Sequence, residues 1–432
     1  MSQTVNDTKI LIEESHAVPL CSAVVMVPTG ASVEPDGKEG LVRHAAELMR
    51  RGAGGKSRAQ LDATLDELGA SIDVVVGADS VGFMASGLSR HLPRLVELLG
   101  DVLCRPTFDE GEHERLRRES LALLDDVRDD DASLCGRYWD RAAYGSHPYG
   151  RTVLGTEPSL AGLALADARA WWKTRLVASD LLVGFAGDVT RARAEELAGG
   201  LVAQLAPGRA PAEPDAPLAV PAAKGRRTLL IDKPERTQSQ ILVGHTAPPR
   251  AHADWLALSV ASAIFGGTFT SRLMSEVRVK RGWSYGASAR VGRGRHGAAF
   301  RMRVFPSNEL TAQTLSLVLE LFEKVVADGV TKEELEFALG YLSGSWPFEL
   351  VTPGDRLGKQ LDTILLGLAP DAYARHLKLL AALDADQVNA AIRRWWKPED
   401  VTIALTATAD DMVPRLAGLP IGDLQVIPYE SY

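Results

Sequence analysis

Residues 265–290 read FGGTFTSRLMSEVRVKRGWSYGASAR, and this stretch is the most distinctive in the chain. Its Gly-Gly pair allows close backbone approach, SRLMSEVRVKR has helical spacing, and Gly282 is placed to end that helix. The residues that follow Gly282 predict a strand. Arg278, near the helix end, and Tyr285, on the strand, are seven residues apart and can converge to offer two fixed donors to a peptide carbonyl. A surface arginine beside a packed tyrosine remains open as the simpler interpretation.

Working outward, two pairs of segments indicate an internal duplication. LCSAVVMVPTGA (20–31) and TQSQILVGHTAP (237–248) are strand-like and each precedes a helical stretch, while DLLVGFAGD (180–188) and DVTIALTAT (400–408) close the two halves. The two members of each pair lie about 217 to 220 residues apart in the sequence, so the two offsets agree. The sequence therefore predicts an α+β fold made of two homologous domains, each a mainly antiparallel sheet flanked by helices.

The domain boundaries follow from one Pro- and Ala-rich stretch near the middle of the chain. APGRAPAEPDAPLAVPAAKGRR, residues 206 to 227, has no hydrophobic periodicity and is typical of an interdomain linker. We place an N-terminal domain at residues 1–210, a linker at 211–227 and a C-terminal domain at 228–432.

Composition excludes several classes of partner. A chain of 432 residues, 46% of them hydrophobic, is longer than one hydrophobic core usually supports. Its net charge is -8 and it has no stripe of basic residues, so a nucleic-acid partner is not expected. Three cysteines without a CxxC pair argue against a disulfide framework. Since MSQTVNDTKI has no signal-peptide pattern and no 18-residue apolar run occurs, we expect no membrane association and a cytoplasmic location, or a periplasmic one if a leader was removed.

The segment GRGRHG (292–297) matches the GxGxxG pattern of dinucleotide-binding proteins. That site requires the glycines to open a helix, whereas here strand-like segments lie on both sides. We interpret GRGRHG as a hairpin turn.

The helix LVRHAAELMRR (41–51) carries Arg43 and Glu47 at i and i+4, the placement that zinc peptidases give to two histidines. A guanidinium opposes a divalent cation, and the nine histidines of the chain contain no i, i+4 pair. This helix is therefore expected to be structural. An unusual ligand set of His44, Glu47 and Glu119 is the remaining metal alternative.

Several motifs in order give the chain a family resemblance over some 400 residues. They are EPDGKEGLVRHAAELMRRGA (34–53), HPYGRTVLGT (147–156), GDVT (187–190) and FGGTFTSRLMSEVRVKRGWSYGA (265–287). With these motifs the chain resembles the pitrilysin or insulysin family of zinc endopeptidases, and in particular the short bacterial chains related to the mitochondrial processing peptidase subunits. The resemblance implies one half of a clamshell.

The resemblance also implies that the zinc motif is degenerate. Catalytic members carry an inverted motif, His-x-x-Glu-His; here Arg43 and Glu47 stand at its ligand positions, Ala46 at its catalytic glutamate, and the third ligand falls near Leu124. On this basis the chain holds no metal or other cofactor of its own, and zinc is expected in a partner subunit.

The second-half motif is intact by the same comparison. Arg278 and Tyr285 correspond to an Arg and Tyr that hydrogen-bond the substrate backbone, and the loop of Gly266, Gly267, Thr268 and Phe269 resembles a substrate-contacting loop. The implied function is the non-catalytic, substrate-binding subunit of a heterodimeric zinc metalloendopeptidase, inactive alone, which acts on a peptide together with a zinc-bearing homologous chain. The alternative is a non-proteolytic scaffold or assembly protein of the same fold.

Overall fold

The computed structural model describes residues 3–5, 8–208, 210–211 and 220–431. Of the predicted linker at 211–227, residues 212–219 lie outside the described residues. The strands are β1 (Gln3–Val5), β2 (Thr8–Glu14), β3 (Leu20–Val27), β4 (Gly52–Ala53), β5 (Lys56–Ser57), β6 (Ser71–Val76), β7 (Val81–Leu88), β8 (Leu182–Gly187), β9 (Arg227–Asp232), β10 (Gln240–Ala247), β11 (Ser284–Val291), β12 (Ala298–Pro306), β13 (Thr402–Ala407) and β14 (Asp423–Pro428).

The helices flank these strands along the whole chain. They are α1 (Leu41–Arg50), α2 (Arg58–Leu68), α3 (Leu92–Cys104), α4 (Glu110–Asp129), α5 (Asp131–Tyr144), α6 (Glu157–Ala161), α7 (Leu165–Arg175), α8 (Arg191–Val202), α9 (Trp255–Ser262), α10 (Arg272–Met274), α11 (Thr311–Asp328), α12 (Lys332–Ser345), α13 (Pro353–Leu365), α14 (His376–Ala381), α15 (Ala385–Trp395) and α16 (Ala409–Leu416).

The strands form two six-stranded sheets with matching connections. The first has the order β1-β2-β8-β3-β7-β6 and the second β11-β12-β10-β13-β9-β14. In both, a parallel pair (β2 with β8, β9 with β13) is followed by antiparallel neighbours (β3 and β7, β10 and β12). Strands β3 and β10 begin at residues 20 and 240, and β8 and β13 at 182 and 402, so the same offset of 220 residues recurs. The predicted α+β duplication is confirmed.

The chain divides into two compact units that are discontinuous in sequence. One comprises Met1–Leu124, Arg151–Asp215 and Phe348–Leu365, and the other comprises Asp125–Gly150, Ala216–Pro347 and Leu366–Tyr432. Each sheet therefore packs with a segment from the opposite half of the chain. The domains predicted from the sequence, 1–210 and 228–432, are each continuous, so they do not show that residues 125–150 and 348–365 pack with the opposite sheet. A composition shift marks a linker but not a long-range contact.

In the first unit, both faces of the sheet are covered. Met49 of α1, Leu99 of α3 and Phe185 of β8 belong to the core on one face. On the other face Leu357 and Leu361 of α13 pack against β2, β3 and β8. Gly184 lets α13 approach, since a Cβ atom there would lie 2.9 Å from Leu357 Cδ1.

The second sheet is covered in the same way by its own core and by α5. Phe265, Phe300 and Phe322 lie in the core on one face. Trp139 of α5 packs on the other face and is fully buried. Its indole Nε1 donates to Thr402 O at 2.9 Å, which fixes the helix against β13.

Local sequence signals also match the structure. Thr331 and Glu334 form the predicted capping box at the start of α12, because the Thr331 side chain accepts from the Glu334 N–H and the Glu334 carboxylate accepts from the Thr331 N–H. Residues 292–297 join the antiparallel strands β11 and β12, so GRGRHG is the predicted hairpin turn.

One stretch of the described residues, Trp255–Val279, is long and apolar enough to cross a membrane by length and composition. Leu258, Phe265 and Leu273 within it lie in the second core. A buried core helix passes the same test, so this feature is weak evidence for a membrane span.

Replacing Trp139 tests the role of α5 in the second unit. Trp139→Ala is expected to lower the free energy of unfolding by about 3–5 kcal/mol, because it leaves a large cavity and removes the hydrogen bond to Thr402 O. The measurement is urea unfolding followed by circular dichroism. Phe348→Ala, at a side chain 77% exposed, is the control and should change stability by about 0.5 kcal/mol or less. Equal effects of the two substitutions would contradict the packing role of α5.

Candidate functional site

The Gly-Gly loop that follows α9 is fixed closely against strand β11. Residues Ala263–Gly267 form a π-helical segment, a widened turn that is rare in proteins and frequent at functional sites. Gly266 lies against β11, where a Cβ atom would come within 2.3 Å of Ala289 N. Thr268 is buried and Gly267 half-buried, whereas the ring of Phe269 is 63% exposed. The loop is thus packed at its base and presents Phe269 to solvent.

The helix that carries Arg278 ends where the sequence predicts. Helix α10 continues into a second π-helical segment, Ser275–Val279. Gly282 follows with φ +65°, its N–H donates to Arg278 O at 3.0 Å, and the N–H of Trp283 donates to Val277 O at 3.0 Å. A left-handed glycine of this kind reverses the chain at a helix end, so the next strand returns past the last turn.

Tyr285 lies in a β-bulge on the edge strand β11. Ser284 pairs with Pro306 and Ala287 with Val304, so two residues of β11 oppose one of β12. The buried Ser284 hydroxyl accepts from Phe305 N at 3.0 Å and donates to Gly286 O at 2.6 Å, which fixes the irregularity. Bulges re-aim side chains near active sites. Here the bulge leaves Tyr285 79% exposed.

These local features bring Arg278, Phe269 and Tyr285 together. The guanidinium carbon of Arg278 lies over both rings, 4.6 Å from the Tyr285 centroid and 5.0 Å from the Phe269 centroid. Such cation–π contacts orient a guanidinium without using its N–H donors. We define these three side chains as the Arg278 cluster.

The Arg278 cluster carries an unneutralised positive charge. The nearest acid on its helix, Glu276, is already bound by Lys280 and Arg281, each at 2.5 Å. Among the described residues no carboxylate lies within ion-pair distance of Arg278 and no side chain accepts its hydrogen bonds. The cluster thus offers guanidinium N–H groups and a phenol O–H to an oxygen atom of a ligand.

The predicted zinc-motif helix is α1, and its charges are arranged differently. Arg43 is half-buried and donates from Nη1 to the buried Ser120 Oγ at 3.0 Å. Ala46 is fully buried in the core, and no ion pair joins Arg43 to Glu47 within the part of the chain that the structure describes. Leu124 is also buried. Ser120, one helical turn earlier on α4, is the residue that accepts from Arg43.

A group of ion pairs links the end of α1 to α4. Arg51 binds Glu119 at 2.5 Å and Glu112 at 3.4 Å, and Arg58 binds Glu112 at 3.3 Å. The Arg51 guanidinium, as the main cause, lowers the pKa of Glu119 to about 2. Glu119 is therefore a charged partner of three arginines, Arg51, Arg58 and Arg115, which compete with any cation for its oxygen atoms.

The alternative ligand set of His44, Glu47 and Glu119 does not assemble in the structure. His44 is buried, and its Nε2 lies 2.8 Å from His113 Nδ1 rather than against a carboxylate. Among the described residues, the group whose ligand atoms lie close enough for a metal ion is Glu110, His113 and Glu114, on one turn of α4. Exposed acidic groups of this type are common without an ion.

Sequence reasoning missed three residues of these regions. Ser120 and His113 contact α1 across more than sixty positions of sequence, and no local pattern marks such a contact. Ser284 stands directly before Tyr285, and the signal for its role was the Ser-x-Gly spacing that places its hydroxyl near the Gly286 carbonyl.

The buried His44 makes the stability of the first unit depend on pH. Burial, followed by the neighbouring His113, lowers the pKa of His44 from 6.5 to about 3. Between these values the unfolded chain binds more protons than the folded chain, so the free energy of unfolding falls as pH is lowered from about 6.5 towards 3, by about 1.4 kcal/mol per pH unit for one such histidine.

The test compares urea unfolding at pH 7 and pH 5 in the wild type and in His44→Gln. The variant is expected to lose less stability between the two pH values than the wild type does. His91→Gln, at a partly exposed surface histidine, should follow the wild type. An unchanged slope in His44→Gln would show that His44 is not the titrating group.

The comparisons with known proteins agree with this fold. An uncharacterized zinc protease of Mycobacterium bovis is 26% identical over 402 residues, which cover 89% of this chain and 88% of the relative. A protein of Helicobacter pylori named non-peptidase homolog YmxG is 23% identical over 415 residues, 94% of this chain and 93% of the relative. The structure of a peptidase M16 inactive domain from Pseudomonas fluorescens superposes with a TM-score of 0.86 at 24% identity, over 94% of this chain and 97% of that one.

Two family models together cover most of the chain. The model described as Insulinase (Peptidase family M16) matches residues 9–157, and the one described as Peptidase M16 inactive domain matches residues 162–341. Arg43, Ala46 and Glu47 occupy the positions where the resemblance places the zinc-binding and water-activating side chains. The chain therefore belongs to peptidase family M16, as a member that lacks the catalytic motif.

Proposed function

We propose that this chain is the non-catalytic, substrate-binding subunit of a two-chain zinc endopeptidase. The observation that carries the proposal is the Arg278 cluster: an unneutralised guanidinium oriented over two exposed rings, beside a phenol hydroxyl. A purely structural arginine is expected to have a carboxylate or carbonyl partner, and Arg278 has neither among the described residues.

In this proposal the partner chain carries the His-x-x-Glu-His motif, the zinc ion and the general base. A peptide substrate adds as a strand to a sheet edge of the partner, where main-chain hydrogen bonds hold it. Arg278 and Tyr285 donate to the carbonyl oxygen of the bond to be cleaved. As water attacks that carbonyl its oxygen gains negative charge, and the two donors stabilise the oxyanion more than the ground state.

The loss of the zinc motif in α1 fits this division of labour. Arg43 places a fixed positive charge where a ligand would be needed, and Ala46 has no group that can accept a proton from water. In this proposal α1 supplies no zinc chemistry, whereas Arg278 and Tyr285 act on a peptide bound to another subunit. The same loss would fit a scaffold protein, but a scaffold has no use for two convergent carbonyl donors.

The proposal is tested by peptide cleavage before and after reconstitution. A quenched fluorescent peptide library is incubated with this chain alone, with a His-x-x-Glu-His chain from the same organism, and with both. We expect no cleavage by this chain alone and a zinc-dependent increase in the mixture over the partner alone. Equal rates with and without this chain would contradict the proposal and favour the scaffold.

Substitutions in the Arg278 cluster test the role of its donors in the reconstituted complex. Arg278→Ala and Tyr285→Phe each remove donors and are expected to lower kcat by about 10²-fold or more, with a smaller change in KM. Arg290→Ala is the control, because Arg290 is an exposed arginine of the same strand β11. If Arg278→Ala cleaves as fast as Arg290→Ala, Arg278 does not stabilise the transition state.

A further inference from the structure

Resting on the proposed function, we infer that Phe269 is a positioning residue that holds Arg278 in its active orientation. Its ring has no hydrogen-bonding group and cannot itself bind a carbonyl oxygen. It lies 5.0 Å from the Arg278 guanidinium carbon, within the range of a cation–π contact. Phe269 therefore acts on the substrate through Arg278.

The loop holds Phe269 in place by anchors on both sides. Thr268 and Ser271 are buried, and the Ser271 N–H donates to Thr268 O at 3.2 Å, which closes a turn around Phe269. Ser275 Oγ donates to Thr270 O at 3.2 Å and ties the turn to the helix that carries Arg278. The backbone that carries Phe269 is thus held close to that helix.

The exposure of Phe269 excludes an ordinary packing role. The side chain is 63% exposed and lies outside the hydrophobic cores of the described residues. A large apolar ring held in solvent stabilises the fold little, and the contact that the Phe269 ring does make is with the Arg278 guanidinium.

Arg278 needs such support because, among the described residues, no carboxylate or carbonyl oxygen accepts a hydrogen bond from its guanidinium and orients it. A long arginine side chain has many rotamers. Every rotamer that does not face the substrate lowers the fraction of enzyme–substrate complexes in which the guanidinium is correctly placed. Tyr285 contacts the guanidinium at 4.6 Å, but it is itself exposed on an edge strand. With Phe269 the guanidinium has two aromatic neighbours on separate elements, a loop and a strand.

The test is a double-mutant cycle in the reconstituted peptidase. Phe269→Leu keeps an apolar side chain but removes the π face, and it is expected to lower kcat about two- to fivefold, the fold-change of one exposed cation–π contact. Phe269→Trp should restore the wild-type rate. In an Arg278→Ala background, Phe269→Leu should have no further effect, since both changes then remove the same interaction. Phe337→Leu, at another exposed phenylalanine of the second unit, is the matched control.

Each outcome separates the inference from the proposed function. In one outcome, Arg278→Ala lowers kcat but Phe269→Leu does not; in another, the loss in the double variant equals the product of the two single losses. In either case Phe269 does not act through Arg278 and the proposed function stands. A multiplied loss that appears mainly in KM would mean that Phe269 contacts a substrate side chain instead. If Arg278→Ala itself has no effect, the proposed function fails, and with it a catalytic consequence of Phe269.

A readout without substrate or partner tests the contact directly. In the isolated chain, ring currents from the two aromatic side chains should shift the Arg278 side-chain proton resonances upfield. Phe269→Leu should move them towards ordinary arginine values, and Phe337→Leu should leave them unchanged. Identical Arg278 shifts in the wild type and Phe269→Leu would overturn the inference.

Discussion

Burial of both faces of each sheet is the constraint on which the rest of the fold depends. The central strands β8 and β13 are buried along their whole length, which requires apolar cover on two sides. One side is covered by helices near in sequence, and the other by α13 on the first sheet and α5 on the second. This requirement brings distant parts of the chain into contact. It leaves the edge strands as the places where side chains can contact a ligand.

The two halves of the duplicated fold have diverged in what they present. Helix α1 has charged residues at the motif positions, with Arg43 bound to Ser120 and Arg51 bound to Glu119. These contacts link α1 and its end to α4. In the second half, π-helical turns, a left-handed glycine and a β-bulge act within some twenty residues to bring Arg278, Phe269 and Tyr285 together. Such local irregularities weaken regular structure, and their concentration at one place is typical of a functional site.

Local signals in the sequence were sufficient to predict that Arg278 and Tyr285 lie close together. Gly282 as a helix end and the seven-residue spacing of Arg278 and Tyr285 both follow from short-range rules, and the structure shows the reversal and the contact. The bulge at Tyr285 depends on the Ser284 hydroxyl and on the partner strand, so propensity alone does not locate it. The placement of α5 and α13, and the contact of Arg43 with Ser120, are long-range and leave no trace in hydrophobic period or composition.

The most direct test of the central claim is a structure of the two-chain complex with a peptide bound, in which the water-activating glutamate of the partner is replaced by glutamine. We expect the carbonyl oxygen of the bond to be cleaved to lie at hydrogen-bond distance, about 2.7–3.2 Å, from the Arg278 guanidinium and the Tyr285 hydroxyl. A peptide held at the zinc site with neither side chain in contact would contradict it.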